Sequence, residues 1–179
     1  NSEAEEDDYY VKFIGKQKAD GTFLDGEGVW EECPKPGVKI EINPETMPVQ
    51  LVRRQDDSYG TLTGTAGAIY FVVEQITWEN RLVGDELTVP EPSFMKTSDG
   101  EIKSSSNTYV GTINKMLFFR NRLVMLSDEN VIMSRPGDFF NFWPKSAITY
   151  TATDNIDLSC SSEYPAIVYD GIQVNSGLV

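Results

Sequence analysis

The sequence predicts an all-β fold, and three observations carry that expectation. Short segments rich in β-branched and aromatic side chains recur along the whole chain. Gly, Asp and Pro turn signals stand between them. No stretch of ten or more residues sustains the 3.6-residue apolar spacing of an amphipathic helix. This pattern fits a sandwich or a propeller alike, and no clean internal repeat separates the two.

In chain order, Glu3, Glu5, Glu6, Asp7 and Asp8 form an acidic, solvated end. Tyr9 to Ile14 reads as the first strand. Asp20-Gly21 and Asp25-Gly26 are turn dipeptides flanking the apolar piece Thr22-Phe23-Leu24. Gly28 to Glu32 and Val38 to Ile42 are further strands, the second with Val38, Ile40 and Ile42 alternating against Lys39 and Glu41. Val49 to Arg53 is one more. The polar step from Gln55 to Ser58 marks a boundary between an N-terminal β-rich region, 1–57, and a second region, 58–179. Strands are expected at Thr61 to Thr65 and Ala68 to Val73. An exposed loop is expected over 97–107. Strands then resume at Tyr109-Val110, Lys115 to Arg120, Arg122 to Leu126 and Asn130 to Ser134, with Ser127 to Asn130 as the last turn. The rising apolar pattern from Gln173 to Val179 carries no terminating signal, so the second region is read as truncated at its C-terminus.

Composition narrows the function. The formal net charge is −13, from 28 acids and 15 bases. Residues 1–57 hold fourteen acids and seven bases, so the charge is spread rather than confined to a tail. Tight sequestering of nucleic acid needs Lys and Arg to neutralise phosphates, and no basic stripe is present. Histidine is absent, which removes Ser–His and Cys–His nucleophile pairs and histidine-ligated metals. Cys33 and Cys160 alone can build neither a disulfide framework nor a structural zinc site. No apolar run approaches the ~20 residues that span a bilayer, so no membrane anchor is expected. These features point away from an enzyme and require no cofactor.

Three blocks then stand out: Phe118-Phe119-Arg120-Asn121-Arg122-Leu123, Ser127 to Arg135, and Gly137-Asp138-Phe139-Phe140-Asn141-Phe142-Trp143. With Thr153 to Asp157 downstream, they resemble the tail tubular protein B family, the nozzle proteins of T7-like short-tailed phages. Upstream, the resemblance runs through Trp78, Arg81, Gly84-Asp85 and Pro92-Ser93-Phe94. It also takes in Tyr9-Tyr10-Val11, Gly28 to Glu32, and Met47-Pro48 through Arg53. It implies part of an irregular β-propeller beside the smaller N-terminal β-rich region. It further implies a homo-hexameric ring that continues the DNA channel below an adaptor ring, with tail fibres near the junction. Double-stranded DNA would pass without specific binding. The place implied is the virion tail, assembled in the host cytoplasm. A carbohydrate-binding or glycan-degrading propeller acting on the host surface is the alternative, and a plain adhesion module a third reading.

Individual residues carry two readings each. Phe139, Phe140, Phe142 and Trp143 could stack on bases or sugars, but a buried plug pinning one blade suits their bulk better. The turn Arg135-Pro136-Gly137-Asp138 would present them inward. Arg120, Arg122 and Arg135 could grip phosphate. In so acidic a chain, ion pairs with Asp128, Asp138, Asp154 or Asp157 are the better expectation. Asp154 and Asp157 could be a carboxylate couple or a calcium site, yet their spacing fits a turn cap, and calcium wants about six oxygens.

Overall fold

A computed structural model of the chain describes residues 9–55, 67, 69–95, 113–160, 164, 166–174 and 177–178. Four expectations fall outside these residues: the acidic end over 3–8, the strand over 61–65, the loop over 97–107 and the strand at 109–110. The described part is all-β, with two 3-10 turns at Pro44–Thr46 and Ser93–Met95. Ten strands make four antiparallel sheets. β1 (Tyr10–Gln17) pairs with β2 (Phe23–Cys33), and β3 (Val49–Gln55) with β4 (Ile69–Gln75). β5 (Ile113–Phe119), β6 (Arg122–Ser127), β7 (Asn130–Met133) and β8 (Ile156–Ser159) form a four-stranded sheet in sequential order. β9 (Gln173–Val174) and β10 (Gly177–Leu178) close a small ribbon.

The chain divides into two compact units. One combines the described residues up to Glu41 with those from Glu79 onward; the other is Ile42–Trp78. The second unit holds the β3–β4 ribbon and the buried side chains of Ile42, Met47, Ile76 and Trp78. Gln55 ends β3, which pairs residue for residue with β4 beyond the polar step.

The core of the first unit is built on β6. Every residue of this strand is buried, with Val124 and Met125 at 0% exposure. Two short connections hold it in place. Phe119 pairs with Arg122 across Arg120-Asn121, and both linking residues have positive φ, 46° and 60°. This is the twist that a two-residue hairpin requires, and Asn suits it. Ser127 pairs with Asn130 across Asp128-Glu129, with Asp128 at φ 50°.

Two sequence expectations are corrected. Val38 to Ile42 forms no strand, because it lacks a ladder partner: in this segment the carbonyl of Ile40 accepts a bond from the N–H of Arg81. Its side chains do not alternate either, since Ile40 is exposed and Ile42 buried. Asp25-Gly26 is not a hairpin turn but lies inside β2. The register jumps from Gly15 opposite Gly28 to Gln17 opposite Phe23, and Gly26 at φ 73° absorbs the extra residues as a bulge. Asp20-Gly21 does turn the chain, and the Asp20 carboxylate accepts bonds from the Thr22 N–H and hydroxyl.

Gly84 has both a conformational and a steric reason to be glycine. Its φ is 70°, and an added Cβ would lie 2.6 Å from both Thr88 Oγ1 and Val89 Cγ2. Backbone strain of this kind costs about 1–3 kcal/mol. Gly84→Ala is therefore expected to destabilise the chain by about that amount, read as a lowered denaturation midpoint. An unchanged midpoint would show that the 84–89 turn relaxes freely.

Candidate functional site: the Trp143 cluster and its buried arginines

The segment after β7 folds back on itself through backbone bonds. The N–H of Asp138 donates to the carbonyl of Arg135, and the N–H of Arg135 to the carbonyl of Asn141. Gly137, at φ 76°, donates its N–H to the carbonyl of Asn121 at 2.7 Å, tying this turn to the β5–β6 hairpin. Asn141 Nδ2 donates to Asp138 Oδ2, while its Oδ1 accepts the N–H of Trp143. Asp138 is thus spent on the turn that aims the aromatic residues.

Those aromatics differ in depth. Phe142 and Trp143 are fully buried, and Phe139 and Phe140 are half-buried. Phe142 meets Phe94 edge to face at 5.3 Å, and Phe139 meets Phe118 in the same way. Trp143 donates its indole N–H to the carbonyl of Glu79 at 2.9 Å, and the N–H of Glu79 donates to the carbonyl of Phe140. The indole thereby fixes a chain segment 64 residues away in sequence. Arg81, on that segment, lies over the Trp143 ring at 4.8 Å and is 1% exposed. None of its three guanidinium nitrogens has a hydrogen-bond partner among the described residues. Burial pushes this guanidinium below its ordinary pKa, against the opposing pull of Glu91, Glu86 and Asp85. Sequence reasoning placed no weight on Arg81 at this site. A cation set over an aromatic face at long range leaves no spacing signal.

The second arginine is Arg122, at the head of β6. Its Nη1 donates to the carbonyls of Ser134 and Asp154, and Nη2 to that of Ala152, each at 2.6 Å. All three acceptors are backbone oxygens, where carboxylates were expected. Ser134 Oγ accepts the N–H of Leu123 and donates to the carbonyl of Arg135. Arg135 directs Nε to the carbonyl of Thr153 at 3.4 Å, and Arg120 lies exposed over Phe119 at 5.2 Å.

Asp154 is 1% exposed and accepts bonds from the N–H groups of Lys145 and Thr151 and from the Thr151 hydroxyl. Burial alone would raise its carboxyl. Those donors, with the charge of Arg135, outweigh burial and hold it below the ordinary 3.8. Asp157 accepts the N–H of Ser93 at 2.7 Å. The two aspartates therefore cap different backbone segments. Asp85 follows the same logic: burial raises it, but the Thr88 and Leu87 N–H groups, the Thr88 hydroxyl and Lys35 bring it down. Among the described residues no group of three or more Cys, Asp or Glu side chains is placed to hold a metal, and no helix is long and apolar enough to cross a membrane.

Antiparallel sheets, aromatic side chains locked by backbone bonds and buried charges tied mostly to backbone groups define an all-β protein built around a buried aromatic cluster. Comparison with known proteins makes that class specific. A family model described as bacteriophage nozzle protein matches residues 1–179. The chain is also 32% identical over 162 residues to the tail tubular protein gp12 of Escherichia phage T7, across 90% of this chain and 16% of that protein. The chain belongs to the bacteriophage nozzle protein family and is a structural part of a phage tail, within the virion. It spans only a small part of its T7 relative.

Two outcomes are expected. Trp143→Ala removes a fully buried indole with its hydrogen bond, and should cost about 3–5 kcal/mol in a denaturant titration; a variant with wild-type stability would show that the cluster collapses around the gap. The second concerns acid. A carboxyl depressed in the fold contributes stability above its unfolded pKa and loses it as pH falls through the folded value. Asp154 and Asp85 are both depressed, so stability should decline below about pH 5. Asp154→Asn should be less stable at neutral pH and show a shallower acid decline in melting curves taken across pH.

Proposed function

We propose that this chain is a wall segment of the tail nozzle, one subunit of a homo-hexameric ring that conducts double-stranded DNA during genome ejection, next to an adaptor ring and tail fibres. The family match across the whole chain carries this reading. Physical features support it. The sequential β5–β6–β7–β8 sheet has the form of a single propeller blade, and the Trp143 cluster packs beside it as the plug that pins the blade. Arg122, Arg135 and Asp154 tie down the segment that returns to β8.

Charge fits a conduit. Phosphates on a passing duplex would be held by a basic wall, and a net charge of −13 repels them over about 8 Å at physiological salt. A nozzle subunit needs this indifference to its cargo more than it needs an affinity.

The test is the position of this chain in an assembled tail, by electron cryo-microscopy. It is expected in the axial ring with its acidic side chains toward the lumen, and density outside that ring would defeat the assignment. Incubation with host surface polysaccharide is expected to release no reducing ends. Release that vanishes on mutating a carboxylate would turn the reading toward glycan degradation.

A further inference from the structure

A cavity of about 530 Å³ opens between the 88–93 segment, the loop over 144–150 and the β7–β8 edge. Asp157 and Ser159 alternate onto its side of β8, and Asn130 stands opposite Ser159 on β7. The walls are held by bonds of their own. Asp157 Oδ2 accepts the N–H of Ser93 at 2.7 Å, which ties the 88–93 segment to β8. The Glu32 carboxylate accepts the Ser146 hydroxyl at 2.7 Å and the N–H of Ala147 at 2.8 Å. Ser146 Oγ in turn accepts the N–H groups of Ile148 and Thr149. A cavity shaped in this way before a ligand arrives loses little freedom on binding one.

We infer that this cavity is a binding site for an uncharged saccharide, a disaccharide unit of a glycan. Its volume falls within the roughly 300–1,000 Å³ of small-ligand sites, but its lining is too polar for an apolar ligand. Eight of its sixteen lining residues carry a hydroxyl or a carboxamide. Such groups both donate and accept hydrogen bonds, as sugar hydroxyls do. Charge then chooses among polar ligands. No lysine or arginine is among the described lining residues, and the carboxylates of Glu91 and Asp157 would repel a phosphate or sulfate. A cation is answered poorly too, because Glu91 faces the field of Arg81 and Asp157 is engaged by Ser93. Tyr150, 63% exposed at the mouth, offers an apolar ring to the C–H side of a sugar and a hydroxyl to its polar side. This site stands whether or not the chain lines a channel, and it is a site for binding, with no bond broken.

Titration of the 179-residue chain with maltose, cellobiose, lactose and diacetylchitobiose, followed by saturation-transfer NMR, tests the inference. Spermidine and glucose 6-phosphate serve as the charged comparisons. At least one disaccharide should bind saturably with a Kd of about 1 mM. Tyr150→Ala, which removes the ring at the mouth, and Ala147→Trp, which fills the cavity, should each weaken it at least about tenfold. Tyr169→Ala, at an exposed tyrosine outside the cavity, should bind as the wild type does. All four proteins should share one circular dichroism spectrum. Absence of saturable binding by every disaccharide up to about 20 mM would overturn the inference. So would Ala147→Trp and Tyr150→Ala both binding like the wild type, or tighter binding of spermidine or glucose 6-phosphate than of any disaccharide.

Discussion

One guanidinium group holds three stretches of chain together. Arg122 stands where the β5–β6 hairpin enters the core, and its nitrogens reach carbonyls on the segment after β7 and on the loop that leads into β8. Hydrogen bonds from a charged donor are roughly twice as strong as neutral ones, and a buried guanidinium left without acceptors would be costly. The strand pairings around β6 position the arginine, and the arginine in turn fixes the loop that carries Asp154. Asp154 then orders residues 145–154 through its own acceptors. The sheet and its returning loop therefore depend on one another through this side chain as well as through the β7–β8 ladder.

Arg81 poses the opposite electrostatic problem. Its guanidinium is buried over Trp143 with no hydrogen-bond partner among the described residues, so its compensation is the indole face and the field of nearby carboxylates. Cation–π attraction is worth about 2 kcal/mol or more once desolvated. The indole serves twice here, with its N–H on Glu79 and its ring beneath Arg81. The two contacts lock the 79–81 segment against the 139–143 turn, which no strand pairing does among the described residues.

The legible parts of the fold were the local ones. Lys115 to Ser134 reads as successive strands because short apolar runs meet turn residues at close spacing, and the hairpins close where the turns stand. Local composition misleads at two places. Val38 to Ile42 alternates like a strand but finds no ladder, and Asp25-Gly26 has the composition of a turn but serves as a bulge in a long strand. β8, β9 and β10 are too short to stand out from loop. At the cluster, the burial of Phe142 and Trp143 follows from residue type. The partners of Arg122 do not, because a backbone carbonyl is present at every position and leaves no trace in composition. Arg81 and Trp143 meet through the tertiary fold alone.

The two short connections of the central sheet also bear on how the chain folds. β5, β6 and β7 lie within Ile113–Met133, joined across Arg120-Asn121 and Asp128-Glu129, so their pairings link residues close in sequence. Local contacts form quickly because little chain entropy is lost in closing them, whereas the Glu79–Trp143 bond must close a loop of 64 residues. This places the three-stranded meander early in folding and the Trp143 lock late. A chain emerging from the ribosome would thus have three strands of this sheet, β5 to β7, before it reaches the residue that fastens them.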